Sequence, residues 1–350
     1  MEFDNGTSGF GESAPRSYVT GETCHSVANL IIDHFAPILF DHAPIDSVDS
    51  IQSVLDRLAN ICHQQGISSS CNSAIGAIDL ALLDALERSR RLQLRRLFPV
   101  VYRDTLRFSL SVPLLPLNVI KQFFPRLKDY VDIAVMKILV SENPEETYDR
   151  VKLIRSLAHP DTEIRIEFNG KMAFPRVKEY LGLLMPLSLS AVEEPLPPQD
   201  LHCLPLLREQ FKLDFIADES LVTLEDAKRL AHNGVYTIFN IKVSKCGGLL
   251  QSLKIAQLAE QHGIPCHVGT HVGESELLGI AGRRLAQSIM NFDCYGGGSE
   301  VLFSRLFDSS HQSSESTWLS SKAPAFSDQD AFLDLLSNCR LIADIHPAKR

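Results

Sequence analysis

The chain has no apolar run of the ~20 residues that a bilayer-spanning helix needs. Its most apolar stretches, near 110–120 and 181–192, are broken by prolines, serines or a glycine and read as buried strands and loops. It has no basic block, and at a net charge of −9 a nucleic-acid footprint is not expected. Its eight cysteines include no Cys-x-x-Cys pair. That spacing excludes the usual zinc and disulfide signatures and reads as reduced thiols in a cytoplasmic protein. The opening, Met1 to Gly6, is polar and acidic where a secretory signal needs an apolar core. What remains is the ordinary balance of a globular chain, 45% hydrophobic and 22% charged over 350 residues. One barrel of about 200–250 residues with a smaller domain fits that length.

The first 98 residues read as a separate α-rich unit. Apolar residues recur at helical spacing over Ser26–Leu39, Ser47–Cys62 and Ser73–Leu92, and Asp4-Asn5-Gly6 reads as a hairpin turn. From Pro99 the rhythm becomes strand, helix, strand, helix. Candidate strands are Thr105–Val112, Val131–Val140, Glu163–Phe168, Leu187–Val192, Phe215–Asp218, Thr237–Val243, Pro265–Gly269 and a weak one near Ser288–Asp293. Pro144–Ala158, Leu224–His232 and Leu250–His262 read as helices between them, the last with Gly263 as its cap. Eight such strands favour a closed (β/α)8 TIM-type barrel over an open sheet. Residues 308–330 read as an exposed loop, and Ala331–Ile345 as a last helix returning to the N-terminal unit. The expected domains are therefore 1–98, an α+β cap completed by 325–350, and 99–324, the barrel.

Three carboxylates end successive apolar runs. Glu167, Glu193 and Asp218 are separated by 26 and 25 residues, and Lys242 follows 24 later. One strand, one helix and two loops occupy about that many residues, so the four converge on one mouth of a barrel. Glu193 and Glu194 are adjacent, as are Asp218 and Glu219, so only one of each pair faces the axis while the chain stays extended. Glu193 and Asp218 are assigned inward because each ends its run. Asn169 is two residues from Glu167 and shares its side. Taken singly, each acid is a solvated strand end; in register, they are three hard oxygen ligands suited to Mg²⁺, with Mn²⁺ as a substitute.

Lys242 lies between apolar neighbours, where a lysine is hard to bury unless paired or functional. Beside a divalent cation its ammonium is disfavoured, which moves it toward the range of a general base. Lys137 has the same setting on an earlier strand, against the alternative of a snorkelling lysine. Lys245, before Gly247-Gly248, reads by itself as a loop lysine. Together these groups would bind a small carboxylate substrate through the metal, remove its α-proton with a lysine, and hold the resulting enediolate on the metal.

These motifs resemble the enolase superfamily, in particular its muconate-lactonizing subgroup of muconate cycloisomerases, o-succinylbenzoate synthases, N-succinylamino acid racemases and dipeptide epimerases. The resemblance is carried by Gly9-Phe10-Gly11-Glu12, the Ser73–Asp84 helix, Glu167-Phe168-Asn169-Gly170, Glu193-Glu194-Pro195, Ala217-Asp218-Glu219-Ser220 and Lys242-Val243-Ser244-Lys245-Cys246-Gly247-Gly248, in the family's order. It implies a barrel with a capping domain and a Mg²⁺-dependent isomerase, of cycloisomerase or epimerase type. A dehydrating lyase and a non-catalytic homologue are the alternatives. It implies Glu167, Glu193 and Asp218 as metal ligands and Lys242 and Lys137 as the catalytic pair. Asn169, Glu219, Lys245, Thr270 and His271 complete the site as substrate-binding residues, and a homo-oligomer is the family-based expectation.

The chain departs from the family's pattern at three places. The subgroup's second strand ends in Lys-x-Lys with the second lysine catalytic; here Lys137-Ile138-Leu139 places Leu139 there unless a loop insertion shifts Lys137 into the position. With Lys137 catalytic, two opposed bases allow epimerisation; with Leu139 they do not. The third-strand ligand is Glu167 where the family has Asp. The segment before Gly9 is shorter than the family's, so either the start is truncated or a substrate-covering loop is missing. Asp293–Gly298 resembles the eighth-strand loop.

Overall fold

A computed structural model describes residues 1–297 apart from 5, 42–43, 65–70, 90–97, 99 and 128–131. Eight parallel strands close into a barrel in sequence order: β1 Phe108–Val112, β2 Ile133–Leu139, β3 Glu163–Glu167, β4 Leu189–Glu193, β5 Asp214–Ala217, β6 Ile238–Ile241, β7 Cys266–Val268 and β8 Phe292–Tyr295. β8 returns to β1 through the pair Phe108 and Tyr295. Branched and aromatic residues dominate these strands because alternate positions are buried both inside the ring and beneath the helices. Ala191, Ile216 and Ile238 pack together as a separate small apolar cluster. Arg165, buried, pairs with Asp293 and Glu163.

The weak last strand needs a correction. Ser288 ends a helix, and the strand begins four residues later at Phe292. Five helices follow β2, β3, β4, β5 and β6 in turn: α6 Pro144–Leu157, α7 Phe174–Leu184, α8 Leu204–Phe211, α9 Leu224–Asn233 and α10 Leu249–Gln261. α5 Leu117–Leu127 precedes β2, and α11 Glu276–Ser288 precedes β8. Local chemistry sets their ends. Asn143 caps α6, with Pro144 in the first turn; Thr223 and Asp226 form a capping box on α9, which Gly234 ends in the left-handed region.

The N-terminal part is a short hairpin, with Phe3 donating to the Thr7 carbonyl, followed by α1 Cys24–Leu30, a π-helical turn, α2 Ala36–Phe40, α3 Val48–Gln64 and α4 Asn72–Arg88. The apolar rhythm had marked the first three as one helix over Ser26–Leu39, and the π turn at Ile31–Phe35 interrupts it. Cys62 and Cys71, nine residues apart, form a disulfide between α3 and α4, which the unpaired reading of the cysteines missed. The loop expected at 308–330 and the returning helix expected at Ala331–Ile345 lie outside the described residues.

α4 carries the contact with the barrel. Asn72 donates to the carbonyls of Val222 and Lys245, at 2.9 and 3.0 Å. Asp79, fully buried, accepts from the backbone N–H groups of Leu249 and Leu250 and so caps α10 from outside its own chain segment. Gly248, at φ +103°, makes room: a Cβ there would lie 2.4 Å from Asp79 Oδ2. On the other side of α4, a Cβ on Gly11 would lie 1.8 Å from the Ala77 carbonyl, so the N-terminal segment lies directly on the helix backbone. One apolar core runs through α1, α3 and α4 and on beneath the barrel helices.

Candidate active site

The site is built at the C-terminal ends of β2 to β6. Glu167 and Glu193 are the last residues of β3 and β4 and pair across them; Asp218 and Lys242 each follow the last residue of β5 and β6. One carboxylate oxygen from each of Glu167, Glu193 and Asp218 lies within 4.8 Å of the others. Glu193 and Asp218 are buried. The adjacent acids turn elsewhere. Glu194, at φ +38°, accepts from the N–H groups of Asp218 and Ser220 and from the Ser220 and Tyr236 hydroxyls, which ties β4 to β5. Glu219 instead stays with the cluster: Asn169 Nδ2 donates to Glu167 Oε1 at 3.0 Å and to Glu219 Oε1 at 3.2 Å. Asn169 does so from a left-handed turn, φ +53°, rather than from the extended strand that its spacing suggested.

Three amines face these acids. Lys137 Nζ lies 2.8 Å from Glu193 Oε1 and 3.3 Å from Glu167 Oε2. Lys242 Nζ donates to Asp218 Oδ2 at 2.5 Å. Lys245 lies in the loop after β6 but is fully buried: its three hydrogen bonds go to Asp218 Oδ1, the Asp218 carbonyl and the Asn240 carbonyl, at 2.7, 2.7 and 2.8 Å. Asn240, two residues before Lys242 and hence on its face, donates to Glu193 Oε1 at 2.8 Å. The same-face offset was the signal that could have found it.

β2 and β6 stand four strands apart in a ring of eight, so Lys137 and Lys242 enter from opposite walls. Their depths differ. The β2–β3 register pairs Leu139 with Glu167 and Lys137 with Arg165. Leu139 therefore stands in the row of the metal-type ligands, and Lys137 starts one pleat deeper and reaches up with its long stem. Thr270 turns to the next loop, donating to the Gly296 carbonyl at 3.0 Å. His271 is buried beside it, with Nδ1 2.9 Å from the Ala14 carbonyl.

Burial dominates the Glu193 carboxyl and pushes it up to about 7 against the pull of Lys137. Burial would also raise Asp218, but Lys242, Lys245 and Lys137 outweigh it and hold that group well below the usual carboxylate range. Burial alone would lower both Lys137 and Lys242. The charges of Glu167 and Glu193 on the first, and of Asp218 on the second, instead raise them. The lowering expected for Lys242 beside a divalent cation is thus reversed when only the carboxylates act on it.

The donor set fits a hard cation. All three residues offer carboxylate oxygen, and Glu193 Oε2 is buried with no hydrogen-bond partner. A second group with ligand spacing, His267, Asp293 and Cys294, fits less well, because Arg165 bonds both oxygens of Asp293.

The sequence profile of the family described as Enolase C-terminal domain-like matches residues 125–308. The hydrophobic dipeptide epimerase of Enterococcus faecalis is 28% identical over 83% of this chain and 78% of its own. The N-succinyl-L-Arg/Lys racemase of Bacillus cereus is 26% identical over 82% of this chain and 75% of its own. A crystal structure of the Enterococcus faecalis dipeptide epimerase with Mg and L-Leu-L-Tyr superposes with a TM-score of 0.74 at 26% identity, covering 84% of this chain and 80% of that one.

Proposed function

The chain belongs to the enolase C-terminal domain-like family, and on that premise we propose that it is a Mg²⁺-dependent isomerase that removes the proton α to a substrate carboxylate. Enolase-superfamily enzymes that epimerise or racemise are its relatives. The observation that carries the reading is the trio Glu167, Glu193 and Asp218 with the orphaned Glu193 oxygen, flanked by lysines from opposite walls.

Glu167, Glu193 and Asp218 would hold the ion. When bound, Mg²⁺ supplies positive charge against the substrate carboxylate and offsets the pull of Asp218 on the Lys242 proton. Lys242 Nζ takes the α-proton as a neutral amine and returns it as an ammonium. Lys245 and Asn240 fix Asp218 and Glu193, so the acids are set before substrate arrives. Asn169 bridges Glu167 and Glu219 by donating to both. Lys137, bonded to two of the three acids, keeps the cluster from flying apart when no cation is present.

A second reading, a one-base lyase that dehydrates β-hydroxy acids, is favoured by Leu139. An alkyl group in the row opposite Lys242 cannot deliver a proton to the far face of the substrate. The test follows solvent deuterium at the α-carbon of N-acyl amino acids, dipeptides, muconates and β-hydroxy acids with Mg²⁺ present. Exchange with inversion supports the epimerase, and exchange or turnover without inversion supports the cycloisomerase or the lyase. Lys242→Ala should cut the exchange by about 10²–10⁴-fold while Mg²⁺ still binds; an unchanged rate removes Lys242 from the role of base.

A further inference from the structure

His271 stands three residues beyond β7, next to β6, whose following residue is Lys242. Its ring is fixed from outside the carboxylate cluster. Nδ1 lies 2.9 Å from the Ala14 carbonyl, and Ala14 is itself held by its N–H bond to Ser244 Oγ at 2.9 Å. The His271 backbone N–H donates to Glu274 Oε1 at 2.7 Å. A carbonyl only accepts, so the imidazole proton sits on Nδ1 and Nε2 carries a bare lone pair. That Nε2 is buried and has no hydrogen-bond partner. Burial and the charge of Lys242 lower the ring to about 3, so it stays neutral through the physiological range.

A buried acceptor without a partner is rare and unfavourable, because it has lost water and gained nothing. Here the unpaired atom belongs to a ring whose strongest charged neighbours are Lys242, Asp218 and Lys245. It is a preorganised acceptor at the edge of the site, on the side of the proposed base. We propose that His271 Nε2 accepts a hydrogen bond from the substrate, so that the substrate carries an N–H or O–H donor close to the carbon that Lys242 deprotonates. An amide N–H, an ammonium or a hydroxyl meets this requirement. A second carboxylate or a carbonyl at that place does not, since its lone pairs would face the lone pair of Nε2. This rests on Lys242 as the base in the reading above. It makes His271 a specificity residue, and it favours N-acyl amino acids, dipeptides and hydroxy acids over diacids whose only hydrogens there are on carbon.

The test uses the Mg²⁺-loaded full chain with ¹⁵N-labelled histidine, N-acetyl amino acids and dipeptides, their N-methylated counterparts, and muconate. Nε2 of His271 should resonate as an unprotonated ring nitrogen and move when an N–H probe is added, but not with the N-methyl probe or muconate. In the exchange assay His271→Leu should lose roughly a hundredfold in kcat/KM on the N–H substrate and little on its N-methyl counterpart. His271→Gln, which restores an acceptor, should recover most of that loss. A proton on Nε2 in the free protein overturns the inference, as does a signal that no donor probe moves. Equal losses on both substrates in His271→Leu also overturn it. If the signal moves with N–H probes but no probe exchanges deuterium, proton abstraction fails and the acceptor role stands.

Discussion

At the scale of single residues, the site turns on which of two adjacent side chains faces inward. Glu193 and Glu194 differ by one position, yet one joins the acid cluster and the other braces β5. The sequence made that choice legible, because Glu193 closes an apolar run and the strand period is two. Lys137 and Leu139 were not separable in the same way. Which of them stands level with Glu167 depends on the length of the β2–β3 connection, and only the register decides it, in favour of Leu139. Two substitutions follow. Glu193→Gln keeps the size and the bond from Asn240 but removes the charge, so Mg²⁺ affinity should fall by more than the roughly 10–100-fold that outer-sphere partners cost. Calorimetry reads this directly, and unchanged affinity would take Glu193 out of the ligand set. Leu139→Lys adds an amine in the row opposite Lys242. It should introduce inversion at the α-carbon of a substrate that the parent exchanges with retention, as chiral chromatography of the product would show. If the parent already inverts, Lys137 is the second base and the register argument is wrong.

At the scale of elements, the barrel strands were readable because most of their positions are buried, so apolar-rich runs such as Ile133–Leu139 and Ile238–Ile241 stand out between the helices. α11 was not read, and its last residue, Ser288, was assigned to the following strand, since a short apolar run such as Ser288–Phe292 has no distinguishing period. Caps supplied across the fold were equally invisible. Glu12 caps α11 through Ser275 and Leu278, Glu22 caps α4 through Ser73 and Ala74, and Asp79 caps α10, all from partners 51 to 266 positions away. Asp79 is the most consequential, since α10 follows the loop that carries Lys242 and Lys245. Burial pushes its carboxyl up to about 7, against the two N–H bonds that favour the ion. The folded value lies above the ordinary 3.8, so the folded chain binds the extra proton between about 4 and 7. Stability from this group is therefore full below about 4 and is lost as pH rises toward 7. Asp79→Asn lacks that titration. Between pH 5 and 8 the parent should lose roughly 2–3 kcal/mol relative to the Asn variant, read from urea midpoints. Parallel pH profiles for the two proteins would mean that Asp79 is ionised throughout.

At the scale of the molecule, the N-terminal helices and the barrel share one apolar core, and the hairpin segment crosses from α4 to the ends of β6 and β7 through Ala14. A chain joined in this way unfolds as a unit, so a ligand bound at the mouth stabilises both parts together. Three clustered carboxylates repel one another in the absence of an ion; Lys137 pairs with Glu193 and Glu167, and Lys242 and Lys245 with Asp218, which offsets part of that repulsion. On the proposed function, a divalent cation would bind the assembled trio and not the unfolded chain, where the three acids are far apart. At a free Mg²⁺ concentration one hundred times Kd this linkage contributes about 2.7 kcal/mol. For a chain of 350 residues that raises the melting temperature by about 4 °C, at roughly 1–2 °C per kcal/mol. Scanning calorimetry should show one transition that moves up with Mg²⁺ and returns with a chelator. The shift should vanish in Glu193→Gln and persist in His271→Leu, since His271 touches no carboxylate of the trio. Two transitions of which Mg²⁺ moves only one would break the shared-core argument. A shift that survives in Glu193→Gln would place the ion somewhere other than the mouth.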